Sequence, residues 1–180
     1  AKYLDPITGQ WSENPQCVHI KRRLAADGYP ADNASICGVI VIPGDNELAP
    51  DSFTYELFVK PDERTVSDQY FLAIEPVSET RTSGVWAFYD HNKVGFTTFY
   101  AKEDGSVEKT MYSKSVTGIC NGQWHHFALT YDKSSSTMTL WLDYAPYVTR
   151  TDIPADFTMK GLADIGLGNK KSGNGVFASI

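Results

Sequence analysis

Residues 124–142 sort their side chains twice into two alternating sets, on either side of a polar turn, and a chain with that pattern has little choice but a β-hairpin. In the first arm Trp124, His126, Ala128 and Thr130 point one way, and His125, Phe127, Leu129 and Tyr131 the other. Asp132-Lys133-Ser134-Ser135-Ser136 forms the turn, because short Asp and Ser side chains bond nearby backbone and compete with the strand ladder. In the second arm Met138, Leu140 and Leu142 oppose Thr137, Thr139 and Trp141. The predicted core contribution is Trp124, Phe127, Leu129, Leu140 and Leu142, with Trp124 serving a different layer from Phe127 and Leu129.

The rest of the chain reads as more short strands separated by turn residues. Ile36–Ile42, Phe53–Lys60, Tyr70–Ile74, Val85–Asp90, Val94–Tyr100 and Glu108–Ser113 are β-rich runs, most of them bounded by turn residues such as Pro43-Gly44, Pro61-Asp62, Pro76, His91-Asn92 and Asp104-Gly105. Residues 144–157 carry Pro146 and Pro154, which confines them to an edge strand or loop. Ile165–Leu167 and Val176–Ile180 close the series. No long stretch keeps the period of an amphipathic helix. Residues 1–35 lack periodicity and form an irregular lead, with one short strand around Cys17–Ile20, and residues 36–180 form a single all-β domain.

Three motifs lie in the order and spacing of one family. The stretch Gly122, Trp124, His125, His126, Ala128, Thr130, Tyr131, Asp132, then Leu140, Trp141, Leu142 and Asp143, resembles the hairpin signature of laminin-G-like domains in the concanavalin A-like lectin/glucanase superfamily. Ser52 to Pro61 is similar to that family's Phe-Thr…Val-Lys-Pro strand, and Leu162 to Gly168 to its late Ile-Gly-x-Gly strand. The resemblance implies an antiparallel two-sheet jelly-roll sandwich. It also implies a non-catalytic extracellular module that binds a glycan or protein partner. The alternatives are a structural spacer in a larger surface protein, or a glycoside hydrolase of the same superfamily. In relatives the last strand runs further than Val176 to Ile180, so the chain reads as part of a longer polypeptide whose last sheet edge is left unpaired.

Composition narrows the classes. With 42% hydrophobic and 21% charged residues, the 180-residue chain is an ordinary globular domain, and no apolar run approaches the length of a membrane helix. A formal net charge of −6 argues against nucleic acid as partner, and Lys21-Arg22-Arg23 is too short to reverse that. Cys17, Cys37 and Cys120 allow at most one internal disulfide; thiols and any of three pairings remain open. Asn33-Ala34-Ser35 is a glycosylation sequon.

Catalytic residues are not evident. Retaining glycosidases place two carboxyl groups about 5–5.5 Å apart, whereas Glu56 shares its strand face with Thr54, Phe58 and Lys60 only. His125 and His126 point to opposite faces and cannot chelate one ion together. For a calcium ion, which the resemblance implies at a rim, the candidate ligands are Asp45, Asn46 and Glu47 in one turn, and Asp164. For a sugar or protein partner, strand alternation nominates Tyr89 and Phe99 as exposed aromatics, with Arg81, His91 and Asn92 in adjoining loops. Tyr144 joins them because it occupies the turn where relatives carry Asp-Gly, and an aromatic there is a loop anchor or a contact residue.

Overall fold

Alternation of this kind buries one face of each strand, and two such sheets satisfy one another by stacking. The computed structural model describes residues 3–4, 11–12, 19–20, 40–42, 51–61, 69–76, 83–90, 92–155, 157, 163–168 and 178–179, and every regular element among them is a strand. In chain order these are β1 (Tyr3–Leu4), β2 (Trp11–Ser12), β3 (His19–Ile20), β4 (Ile40–Ile42), β5 (Phe53–Pro61), β6 (Gln69–Pro76) and β7 (Ser83–Tyr89). They continue with β8 (Lys93–Ala101), β9 (Val107–Ser115), β10 (His125–Asp132), β11 (Thr137–Leu142), β12 (Ala145–Arg150), β13 (Ala163–Leu167) and β14 (Ala178–Ser179).

Two six-stranded antiparallel sheets result, ordered β12-β11-β10-β5-β14-β3 and β4-β13-β6-β7-β8-β9, beside a small β1-β2 hairpin. This is the expected two-sheet jelly-roll sandwich. Phe127, Leu129, Leu140 and Leu142 are buried between the sheets as predicted, whereas Trp124 lies just before β10 and is half-buried. Phe127 spans the gap: its ring lies 4.4 Å from Phe71 of β6 and 6.2 Å from Tyr89 of β7. The expected unpaired edge at the last strand is not seen. β14 bonds to β5 on one side and to β3, from the N-terminal lead, on the other.

The hairpin turn is built as its composition dictates. The Asp132 carboxylate accepts hydrogen bonds from the Ser134 amide (2.9 Å), the Ser134 hydroxyl (2.7 Å) and the Ser135 hydroxyl (2.8 Å). The Ser134 and Ser135 hydroxyls, followed by the Ser134 amide, hold this carboxyl below its ordinary value. A carboxylate with a lowered folded-state pKa stabilises the fold above its unfolded pKa of about 3.9 and loses that contribution as pH falls through the folded value. The stability difference between wild type and Asp132→Asn is therefore expected to shrink as urea denaturation is repeated below about pH 4, and a difference constant with pH would contradict the turn's role.

The opposite sheet is covered on both faces. Its inner face carries Val85, Ala87, Tyr89, Val94 and Phe96 into the main core. Its outer face carries a second buried cluster of Tyr70, Ala73, Trp86, Phe88 and Phe99. Two of the aromatics nominated as exposed are corrected here. Tyr89 is paired with Val94, so it shares Val94's inward face and is 0% exposed. Phe99 does point outward, but it is paired with Gly84, and its ring packs into the space that any side chain at position 84 would fill, 5.0 Å from Trp86. Only 2% of Phe99 is exposed.

Candidate functional site on the outer face of the hairpin sheet

The outer face of the β12-β11-β10-β5 sheet differs in kind. Strand parity sends Thr54, Glu56, Phe58 and Lys60 of β5 outward, and three of its inward neighbours, Phe53, Tyr55 and Leu57, pack on the core. The register then places His126 of β10 opposite Phe58, and Ala128 opposite both Glu56 and Trp141 of β11. A further row holds Thr54, Thr130, Thr139 and Thr149 side by side. Half of this face is aromatic and half is lined with hydroxyls.

The aromatic half is exposed. Phe58 is 51% and Tyr144 71% accessible. The Tyr144 ring stacks on His126 at 4.3 Å with an interplanar angle of 8°. Phe58 leans against His126 at 5.2 Å and meets Tyr144 edge-on at 6.4 Å. Trp141 is half-buried and fixed by its indole N–H, which donates to Thr130 Oγ1 at 3.0 Å, and Thr139 Oγ1 donates to Thr149 Oγ1 at 3.2 Å.

Polar groups sit among the rings. His126 is 7% exposed; its Nε2 lies 3.4 Å from Glu56 Oε2, and its Nδ1 is buried with no hydrogen-bond partner. Glu56 keeps most of its side chain in solvent. Asp143 is committed elsewhere. Its Oδ2 meets His125 Nδ1 at 2.9 Å, its Oδ1 accepts from the His126 amide at 3.0 Å, and its own amide donates to the His126 carbonyl at 2.8 Å. His125 Nε2 lies 3.2 Å from Asn121 Oδ1. The two histidines thus serve different neighbours, as their alternation required.

The turn carrying Tyr144 is strained. Asp143 and Tyr144 are the two residues between β11 and β12, with φ of 50° and 67°. A two-residue hairpin turn of this hand needs positive φ at both positions, which Asn-Gly or Asp-Gly supplies cheaply and a bulky side chain does not. Such a residue costs on the order of 1–3 kcal/mol and persists only where its surroundings hold it, here the His126 and Phe58 rings.

Of the residues nominated from sequence, Tyr144 is in this site. Asn92 is exposed in the turn before β8, where its amide donates to Asp90 Oδ1 at 2.8 Å, and it is not part of the face. Arg81 and His91 lie outside the described residues, as do Asp45, Asn46 and Glu47. Asp164 is on β13, in register with Glu75. Among the described residues no group of three or more His, Cys, Asp or Glu side chains could hold a metal ion. Cys120 is buried, with its thiol 3.6 Å from the Asp90 carbonyl, and Cys17 and Cys37 lie outside the described residues. Phe58, His126 and Trp141 were not nominated, although each appears in an outward set by strand parity.

No helix among the described residues is long and apolar enough to cross a membrane. The fold is similar to that of CBM40 from the IT-sialidase of Ruminococcus gnavus, with a TM-score of 0.56 and 15% identity, covering 73% of each chain. It is also similar to domain 4 of AbnA, a GH43 extracellular arabinanase from Geobacillus stearothermophilus, with a TM-score of 0.52 and 18% identity over 78% of this chain and 63% of that one. A third likeness is to the heptameric SAP-like pentraxin of Limulus polyphemus, with a TM-score of 0.52 and 10% identity over 73% of this chain and 61% of that one. A comparison with curated protein sequences gave no significant match. The laminin-G family model, described as concanavalin A-like lectin/glucanases superfamily, matches residues 38–179, and the chain belongs to that family.

Proposed function

We propose that this chain is a non-catalytic glycan-binding module of a secreted or cell-surface protein, and that it takes sugar on the outer face of the hairpin sheet. The observation that carries the reading is Tyr144, an exposed ring held at positive φ beside the exposed Phe58. A pyranose presents C–H bonds on one side and hydroxyls around its rim. Flat rings on a rigid sheet receive the first, and carboxylate, imidazole and hydroxyl groups receive the second. Glu56 and the threonine row supply such groups within one face. Two similar folds support the reading by what they hold: the R. gnavus CBM40 bound to α2,3-sialyllactose, and AbnA domain 4 in complex with arabinotriose.

Among the described residues, a hydrolase reading lacks a second carboxyl group beside Glu56 on this face. Glu56 is the carboxylate in the strand interior of this face. Asp132 is four residues further along β10 than Ala128, roughly 13 Å from Glu56's row at the usual rise per residue. Asp143 is occupied by His125 and the His126 amide. Neither is placed to work with Glu56 as an acid–nucleophile pair.

The test is a glycan array probed with the folded protein. Reproducible capture of one or more oligosaccharides is the expected result. A folded protein that captures none contradicts the module and favours a spacer, and turnover of a captured sugar that vanishes in Glu56→Gln contradicts the non-catalytic reading.

A further inference from the structure

The two sheets also come together along their free edges, where β9 ends one sheet and β12 the other. Between them runs an open groove of about 430 Å³, lined by Tyr112, Ser113 and Lys114 from β9 and Tyr147, Thr149 and Arg150 from β12. Its cations are crossed over its rings. Lys114 Nζ lies 4.8 Å from the centre of the Tyr147 ring, and the Arg150 guanidinium 4.7 Å from that of Tyr112. Each cation on one edge strand therefore rests on the tyrosine of the other, which fixes both side chains across the groove.

The supports are themselves held. The Tyr147 hydroxyl donates to the Ser115 carbonyl at 2.5 Å. Asp152 accepts from Arg150 Nε at 3.0 Å and Nη2 at 2.7 Å, leaving Nη1 outside that fork. Lys114 has no carboxylate partner among the described residues, and no carboxylate lines the groove. An ammonium resting on a ring, with no carboxylate partner among the described residues, and a guanidinium with a donor to spare are together arranged for an anion.

We infer that this groove is a second ligand site, separate from the aromatic face, and that it takes the carboxylate of an acidic saccharide. The choice of saccharide follows from the surroundings. At a net charge of −6 the protein as a whole repels a polyanion such as nucleic acid, so recognition favours an isolated anionic group on an otherwise neutral ligand. Ser113, Thr149 and the Tyr112 hydroxyl are suited to sugar hydroxyls around that carboxylate.

The test is calorimetric titration of the full chain with glucuronosyl-xylotriose and glucuronosyl-lactose, each bearing a single carboxylate, and each against its methyl ester, which keeps the sugar and removes the charge. At least one free acid is expected to bind, with its ester weaker by at least about tenfold. Lys114→Gln and Arg150→Gln are each expected to weaken the acid by a similar factor and leave the ester unchanged, with melting temperatures confirming that both variants fold. Added salt should weaken the acid more than the ester. Failure of both acids to bind, equal affinity for acid and ester, or full affinity in both groove variants would overturn the assignment. So would loss of acid binding in Tyr144→Gly with the groove variants intact, since that result places the acidic sugar on the aromatic face. Because Lys114 and Arg150 belong to the groove and not to that face, absence of neutral-glycan binding would sink the first proposal and leave this one standing.

Discussion

Phe127→Ala is expected to remove about 3–5 kcal/mol of folding stability. The ring is 0% exposed and is the described contact through which β10 reaches Phe71 and Tyr89 of the facing sheet. Truncation removes the transfer free energy of the ring and leaves a cavity between two sheets whose hydrogen-bonded strands cannot close over it. For a chain of this length the corresponding fall in melting temperature is roughly 10 °C. Leu140→Ala should cost about 2–5 kcal/mol, because Leu140 is fully buried and paired with Leu129 on one side and Val148 on the other. Urea denaturation monitored by tryptophan fluorescence measures both. A loss below about 0.5 kcal/mol in either variant, the range of surface substitutions, would place that residue outside the core.

Tyr144→Gly is expected to separate stability from function. Glycine relieves the positive φ at this turn, a gain of about 1 kcal/mol or more. The substitution also removes the stacking on His126, an opposing term of about 0.5–1.5 kcal/mol. Stability should therefore change little, while binding of an array-identified neutral glycan should fall at least about tenfold, or 1.4 kcal/mol. Phe58→Ala should reduce binding by a comparable factor, since Phe58 is half in solvent and supports Tyr144 edge-on. The contrast with Phe127 makes the prediction specific: one aromatic is needed to fold and the other to bind. Equal losses of stability and binding in Tyr144→Gly would make Tyr144 a structural anchor.

Most of the fold was legible because local alternation and turn chemistry agree. Thr137 to Leu142, Asp132 and the serines behave as their side chains require, and Pro146 sits in β12 at the sheet edge. The errors came from faces. Alternation says that two sets of side chains diverge without saying which diverges toward the core, and for Tyr89 only the pairing with Val94 decides the face. It also says nothing about what covers an outer face, and Phe99 is buried there against Gly84 and Trp86. The site itself was half legible. Tyr144 stood out as an aromatic in a tight turn. Glu56, Phe58 and His126 each belonged to an outward set, yet Glu56 and His126 are 70 residues apart in sequence. Only the β5–β10 register brings them together, and no local signal encodes it.

Hydrogen exchange of the protein with and without a saturating neutral glycan from the array tests the central claim most directly. Added protection confined to residues 56–60, 125–130 and 141–145 is the predicted result. Protection on β6 to β9 of the opposite sheet, with these segments unchanged, would contradict it.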